Sequence, residues 1–431
     1  MKKKRISLWL AIFCLLLSST VVMAQEQVTL QFMGWEESPL ETQAVLNGLD
    51  RFMELNPHIK VEYTPVAGEY DAKLLTMMAG NAAPDVFFME SGAYREFVKR
   101  GTLLNLSEYF KRDGLEIEEF IPIAQEKMLI GDEVYGLSSC NVSPVLLYNK
   151  DIFDEAGIAY PPSNPDEAWT WDEFVDVTRE LTIEENGRTV QYGVYGLRID
   201  WGHLFPVWVK SNGGEVFNED YTELLLDSPE AKEALVEVRK MFVDYEHGVC
   251  PTATNLEQTG MSAAQMLQTG RIAMLVDGSW AIQELATMGF PLGIAVMPKF
   301  KELVTIGQAH LHSAWEKTDH PEEAWKLVKY LSSREYQTNL IREGLWLPNR
   351  MDMYEDENID DWFNPEVYPE EFRKAVPLFT EYGELWSGVI APSEAMDIIN
   401  EELDNFFLDR QDIDEVIDRM KRRVDPILQN Q

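Results

Sequence analysis

Short apolar runs of strand length alternate along the chain with longer stretches of helical spacing. Val28–Met33 alternates apolar and polar residues, which predicts a strand. Helical spacing follows over Glu41–Leu55 (Val45, Leu49, Phe52, Met53) until Asn56-Pro57 stops it. Ile59, Val61 and Tyr63 predict a second strand, Tyr70–Ala79 a helix closed by Gly80, and Asp85–Met89 a buried third strand. Strand, helix, strand, helix, strand is the grammar of a parallel sheet with right-handed crossovers. The loops after the first and third strands, Gly34-Trp35-Glu36-Glu37 and Glu90-Ser91-Gly92, then open on one edge of that sheet.

Further along, Tyr135–Leu147 carries small and polar residues between apolar flanks, as a crossing between two lobes would. Asn149 ends a strand, Asp151–Ala156 predicts a short helix terminated by Gly157, and Pro161-Pro162 enforces an extended loop. Thr170 with Glu173 has capping-box spacing for a helix over Trp171–Leu181, and Ser228-Pro229 opens another that runs to about Phe242. Thr269–Leu285 reads as a turn, a buried strand (Ile272–Val276) and a polar turn, Asp277–Trp280, at a helix start. Gly278 and Ser279 there allow backbone to approach a ligand, and Trp280 offers a flat apolar face. Leu292–Pro298 predicts a strand, Gly307–Trp315 a loop and strand, and Pro321–Leu331 a helix.

Composition narrows the class. Met1–Ala24 has a basic head, an apolar stretch and a Val-Met-Ala end, the form of a cleaved secretory signal. Its Cys14 follows Phe13, where lipid attachment wants a small residue, so no lipid anchor is expected and the periplasm is the expected location. No later run approaches the ~18 apolar residues of a membrane span. The 431 residues exceed what one core usually supports, so two lobes are expected. A formal charge of −37 argues against nucleic-acid and anionic-membrane partners. Cys140 and Cys250 leave a disulfide open, since spacing says nothing of proximity. His310 and His312 share a strand face, but no further His or Cys completes a metal set, and no phosphate-binding loop, serine elbow or His-Glu-x-x-His motif occurs. No metal or cofactor is expected.

The segment GRIAMLVDGSW around Trp280 closely resembles a signature of the extracellular sugar-binding proteins of ABC importers, the maltose-binding-like family. PDVFFMESGAYREFVKRGTLLNLSEYF, YNKDIFDEAGIAYPP with TWDEF, VMP and the turn GLWLPNR are similar to family segments and fall in the family's order. The resemblance implies an α/β, periplasmic-binding-protein type II fold, with two lobes of mostly parallel sheets joined by a hinge. It implies an N-terminal lobe of residues 25–140 plus 299–333 and a C-terminal lobe of 141–298 plus 334–431. The implied function is capture of a carbohydrate, a neutral oligosaccharide, between the lobes of a monomer, and delivery to a membrane permease.

Transferred position by position, the resemblance marks Trp35, Glu36, Glu90, Asp200, Trp201, Gly278, Ser279, Trp280, Gln308, His310, Trp346 and Trp386 as ligand contacts. Aromatic faces for sugar C–H patches and carboxylates or amides for hydroxyls suit that chemistry. Trp208 reads as core. Three alternatives stay open: core tryptophans with solvated glutamates, a receptor for a cationic or other non-sugar solute, and a secreted carbohydrate-active enzyme using two of the 74 carboxylates. Arg95, Arg198 or Arg350 pointing inward would favour an acidic ligand.

Overall fold

The computed structural model describes residues 27–36, 38–89, 94–198, 204–243, 248–251, 259–385 and 391–430. The proposed signal and the candidates Glu90, Asp200, Trp201 and Trp386 lie outside the described residues. In chain order the strands are β1 (Val28–Trp35), β2 (Ile59–Val66), β3 (Val86–Met89), β4 (Leu129–Ile130), β5 (Glu133–Val134), β6 (Gly136–Val142) and β7 (Pro144–Asn149). They continue as β8 (Ile183–Glu185), β9 (Arg188–Tyr195), β10 (Ile272–Gly278), β11 (Leu292–Ala295), β12 (Thr305–Ala314) and β13 (Gly383–Leu385).

Two sheets organise the fold. The first has the order β13-β12-β3-β1-β2, with β6 added along β12; the second has the order β11-β7-β10-β9-β8. In the first, β1 pairs in parallel with both β2 and β3, as the alternating pattern predicts. β12 runs antiparallel to β3 and β6, and in the second sheet only β9 and β10 are parallel. The sheets are therefore mixed, because the chain passes between them and returns in the opposite sense. β3 sits between β12 and β1 with both faces covered, which is why it is a continuous apolar run.

The passage between the sheets is short. β6 belongs to the first and β7 to the second, and Ser143 alone separates them. All of β6 is buried, including Ser138, Ser139 and Asn141, and Asn141 also pairs both of its backbone groups with Leu347 at 3.0 and 2.9 Å. The chain returns through residues 296–304 into β12.

Local signals hold where their partners are near in sequence. Asn149 caps the helix Lys150–Ala156, and Gly157 ends it with φ 70°. Both halves of the Thr170–Glu173 capping box form at the start of Trp171–Glu180. Trp208, in the helix Phe205–Ser211, is fully buried, packs edge-on against Trp171 and donates its indole N–H to the Leu197 carbonyl at 3.0 Å. Toward the C-terminus Gly383–Leu385 adds to β12 as a strand, and the helices Ser393–Phe407 and Ile413–Leu428 follow.

Candidate functional site

On the second sheet the site begins where β10 ends. Asp277 and Gly278 still pair with Val145 and Pro144 of β7, so the strand runs two residues beyond its apolar core. The Ser279 N–H then donates to the Ser143 carbonyl at 2.9 Å, tying the loop to the crossing residue. Trp280 precedes the six-residue helix Ala281–Ala286 and its indole lies across Gly278: a Cβ there would fall 2.1 Å from the ring. Glycine at 278 is required by that close approach. Ser279 is buried, and its hydroxyl has no protein partner.

Asp277 accepts a hydrogen bond from the Gly278 N–H at 2.7 Å. Burial pushes its pKa up to about 7 against that hydrogen bond, and the nearby Glu284 carboxylate adds to the rise.

On the first sheet, Trp35 ends β1 half-buried, with its ring 6.0 Å from Tyr70. The Tyr70 hydroxyl lies between the carbonyls of Met33 and Phe88, at 3.0 and 2.8 Å. Phe88 stacks on His310 (5.0 Å, 20°) and lies parallel to Trp346 (6.3 Å, 15°). His312 meets Phe88 edge-on at 5.4 Å and lies 5.4 Å from Phe32. Burial drives the pKa of both histidines down to about 3; Lys127 adds to the fall at His310, and His310 to that at His312. Both rings are therefore neutral aromatic surfaces with an unpartnered Nδ1.

These contacts bring Phe88, His310 and Trp346 into one stack, with Trp35 and Tyr70 paired separately at the end of β1, and the Asn141–Leu347 pairing places the Trp346 segment beside Ser143, where the Trp280 loop is tied. Other candidates are engaged within the protein. Glu36 accepts a hydrogen bond from the Thr42 hydroxyl at 2.9 Å, Gln308 is 6% exposed beside Val142 of β6, and Trp346 is 8% exposed.

Tyr70 and Phe88 were not singled out from the sequence, yet Phe88 carries the stack and Tyr70 flanks Trp35. Nor was Asp71, whose pKa burial raises, with the buried Lys127 opposing the rise. Only the fold brings these two together.

Two of the three basic residues that would signal an acidic ligand, Arg350 and Arg198, are matched elsewhere. Arg350 pairs with Glu119 at 2.7 Å and Asp352 at 3.3 Å, and Arg198 pairs with Asp404 over the Phe407 ring. Cys140 and Cys250 are both free and buried, so the disulfide left open by the sequence does not form. Among the described residues no group of three metal-binding side chains occurs, and no helix is long and apolar enough to cross a membrane.

Comparison with known proteins places this arrangement. A maltotriose-binding protein of Pyrococcus abyssi is 24% identical over 368 residues, covering 81% of this chain and 74% of its own. An arabinooligosaccharide-binding protein of Halalkalibacterium halodurans is 21% identical, covering 73% and 69%. Among solved structures, an ABC substrate-binding protein of Listeria monocytogenes in complex with cycloalternan superposes with TM-score 0.79 at 23% identity, over 93% of this chain and 99% of that one. The GacH receptor of Streptomyces glaucescens, solved unliganded and with acarbose, gives 0.76 at 22%, over 94% and 100%. The fold is therefore that of the two-lobed substrate-binding proteins. The sequence profile described as bacterial extracellular solute-binding protein matches residues 37–338, well over half of the chain, and this protein belongs to that family.

Proposed function

We propose that the protein captures a neutral oligosaccharide between two lobes and presents it to the membrane permease of an ABC importer. The observation that carries this reading is the stack of Phe88, His310 and Trp346 near the Trp280 loop at the crossing between the sheets, with Trp35 at the end of β1. Flat apolar faces are what the C–H faces of a sugar pack against. The relatives' named ligands, maltotriose and arabinooligosaccharide, support an oligosaccharide. The pairing of Arg198 and Arg350 with carboxylates supports a neutral one.

We take the lobes as 25–140 with 299–333 and 141–298 with 334–431; Gly383–Leu385 pairs on the first sheet. Closure about Ser143 and residues 296–304 brings the two sets of contacts onto one ligand, and binding stabilises the closed form. The family consists of binding proteins, and this member binds its sugar without cleaving it. It acts as a monomer in the periplasm after loss of residues 1–24, with no nucleic-acid partner.

The test is tryptophan fluorescence of residues 25–431 titrated with mono- and oligosaccharides, with the ligands recovered and analysed. Saturable change with intact sugar is the expected result. No response to any neutral sugar would overturn it in favour of an amine or other solute, and cleavage products would make the protein an enzyme.

A further inference from the structure

Three Asn-Gly pairs occur in the chain, at 47–48, 186–187 and 212–213, and the fold treats them differently. In such a pair the backbone nitrogen of the glycine can attack the asparagine side chain, because glycine places no Cβ in the way. The bond that forms joins that nitrogen to Cγ, and the bond that breaks is Cγ–Nδ2; the nitrogen's proton leaves with the amide as ammonia. Water then opens the five-membered imide at one of its two carbonyls. The product is aspartate, or an isoaspartate whose main chain runs through the former side chain. Water enters and ammonia leaves, with no oxidant or cofactor.

At two of the pairs the fold blocks this step. Asn47 lies inside the helix Pro39–Leu55, where the ladder of backbone hydrogen bonds holds the next nitrogen away from the side chain. Its side-chain oxygen accepts from Gln43 at 2.9 Å, and Gly48 is packed so that a Cβ would fall 2.5 Å from Tyr336. Asn212 is only 3% exposed. Its amide donates to the Glu230 carbonyl at 2.8 Å and the Glu233 carboxylate at 2.9 Å, while the Gly213 N–H donates to the Lys210 carbonyl at 2.8 Å.

Asn186-Gly187 is the reverse case. Glu185 pairs with Arg188, so these two residues alone make the loop between β8 and β9. Their φ values, 54° and 75°, are those of the tight hairpin turn that Asn-Gly favours. Both residues are exposed, and a Cβ on Gly187 would meet nothing within 4 Å. Among the described residues neither the Asn186 side chain nor the Gly187 N–H is engaged in a hydrogen bond. β8 is the edge of the second sheet, pairs with β9 alone and is exposed along its whole length, so little packing restrains the turn.

We propose that Asn186 is a self-modification site: the Gly187 nitrogen closes on its side chain, and the isoaspartate that results detaches β8. An isoaspartate adds one carbon to the main chain inside a two-residue loop, whose length fixes the register of the strands it joins. It also sets a new carboxylate beside Glu184 and Glu185. The damage stays at the edge, because β10 and β7 lie beyond β9 in the sheet. Neither ligand nor closure enters this chemistry.

The experiment ages residues 25–431 in mildly alkaline buffer, folded and separately in denaturant, and follows all three pairs by peptide mass mapping, with fragmentation to tell isoaspartate from aspartate. In denaturant the three should convert at similar rates. In the folded protein Asn186 should convert more than about tenfold faster than Asn47 or Asn212, where attack requires local opening and loss of hydrogen bonds. Conversion at 47 or 212 as fast as at 186, or an intact Asn186 over the time in which the denatured chain converts, overturns the site. Amide exchange of the aged protein should be faster over residues 183–191 and unchanged in β10. Asn186→Gln, whose longer side chain cannot close a five-membered ring, should keep its exchange on ageing, and Asn186→Asp carries the charge without the extra carbon. If unaged Asn186→Asp already exchanges as fast as the aged wild type, or the aged wild type exchanges no faster than fresh protein, the detachment of β8 is refuted.

Discussion

Replacing Gly278 with alanine tests whether the Trp280 indole is a ligand platform, without removing the indole. A Cβ at this position would sit 2.1, 2.2 and 2.4 Å from three ring carbons of Trp280. Carbon atoms pack at about 3.5–4.0 Å, so the ring must retreat by roughly 1.5 Å or rotate away. Losing a well-placed aromatic face against a sugar removes about 2 kcal/mol of buried apolar contact and stacking, or roughly thirtyfold in Kd. Gly278→Ala should therefore weaken saccharide binding by more than tenfold while the protein stays folded, as Trp280→Ala should, and the double variant should be no worse than either alone. Isothermal titration with the best-binding saccharide measures all three, and thermal unfolding checks the fold. If Gly278→Ala binds as tightly as wild type while Trp280→Ala does not, the ring reaches the ligand from somewhere other than the position over residue 278. If neither changes Kd, Trp280 is packing only.

Three other outcomes follow from groups already placed. Asp277 has a folded pKa of about 7 against an unfolded value near 3.8, so it stabilises the fold fully below about pH 4 and loses that contribution as pH rises through 7. The loss is on the order of 4 kcal/mol, and Asp277→Asn should flatten the decline in Tm between pH 5 and 8; an unchanged slope would assign the decline elsewhere. His310 and His312 act in the opposite sense: with folded pKa near 3, each costs up to about 1.4 kcal/mol per pH unit as pH falls from 6.5. The double His→Phe variant should retain its Tm at pH 5 better than wild type, and an equal acid loss would refute the cost of charging the rings. Cys140 and Cys250 are buried and free, so reductant should leave Tm unchanged and both thiols should react with a colorimetric reagent only after unfolding; a thiol pair appearing only after reduction would contradict this.

What could be read from the sequence is what is local. The Thr170–Glu173 box and the Gly157 terminator were legible because their donors and acceptors lie within a few residues of one another, whereas Asn149 was legible only as a strand end and its capping role was not. Trp208 was legible as core from its helical company. The stack was legible only as a set of aromatic letters: Trp346 is plain in the sequence, but the Phe88 ring parallel to it comes from a strand far earlier in the chain. The mixed sense of the sheets was hidden for the same reason, since β12 finds β3 and β6 by long-range pairing that no hydrophobic period encodes. The ion pair between Lys210 and Glu384 shows no signal at all, because complementary charges far apart in a chain this acidic look like any others.

The hydrogen bond from Ser279 to the Ser143 carbonyl couples two properties usually treated as separate. Ser143 is the one residue between β6 and β7, so its torsions contribute, with residues 296–304, to the angle between the sheets, and its carbonyl also moors the loop that ends in Trp280. Any rotation that re-aims that peptide bond re-aims the tryptophan with it. A substitution that relaxes the junction will change what the loop can grip, and a redesign of the loop for another sugar will shift the resting angle of the molecule. Specificity and openness thus share one peptide group, and a change made there for one bears on the other.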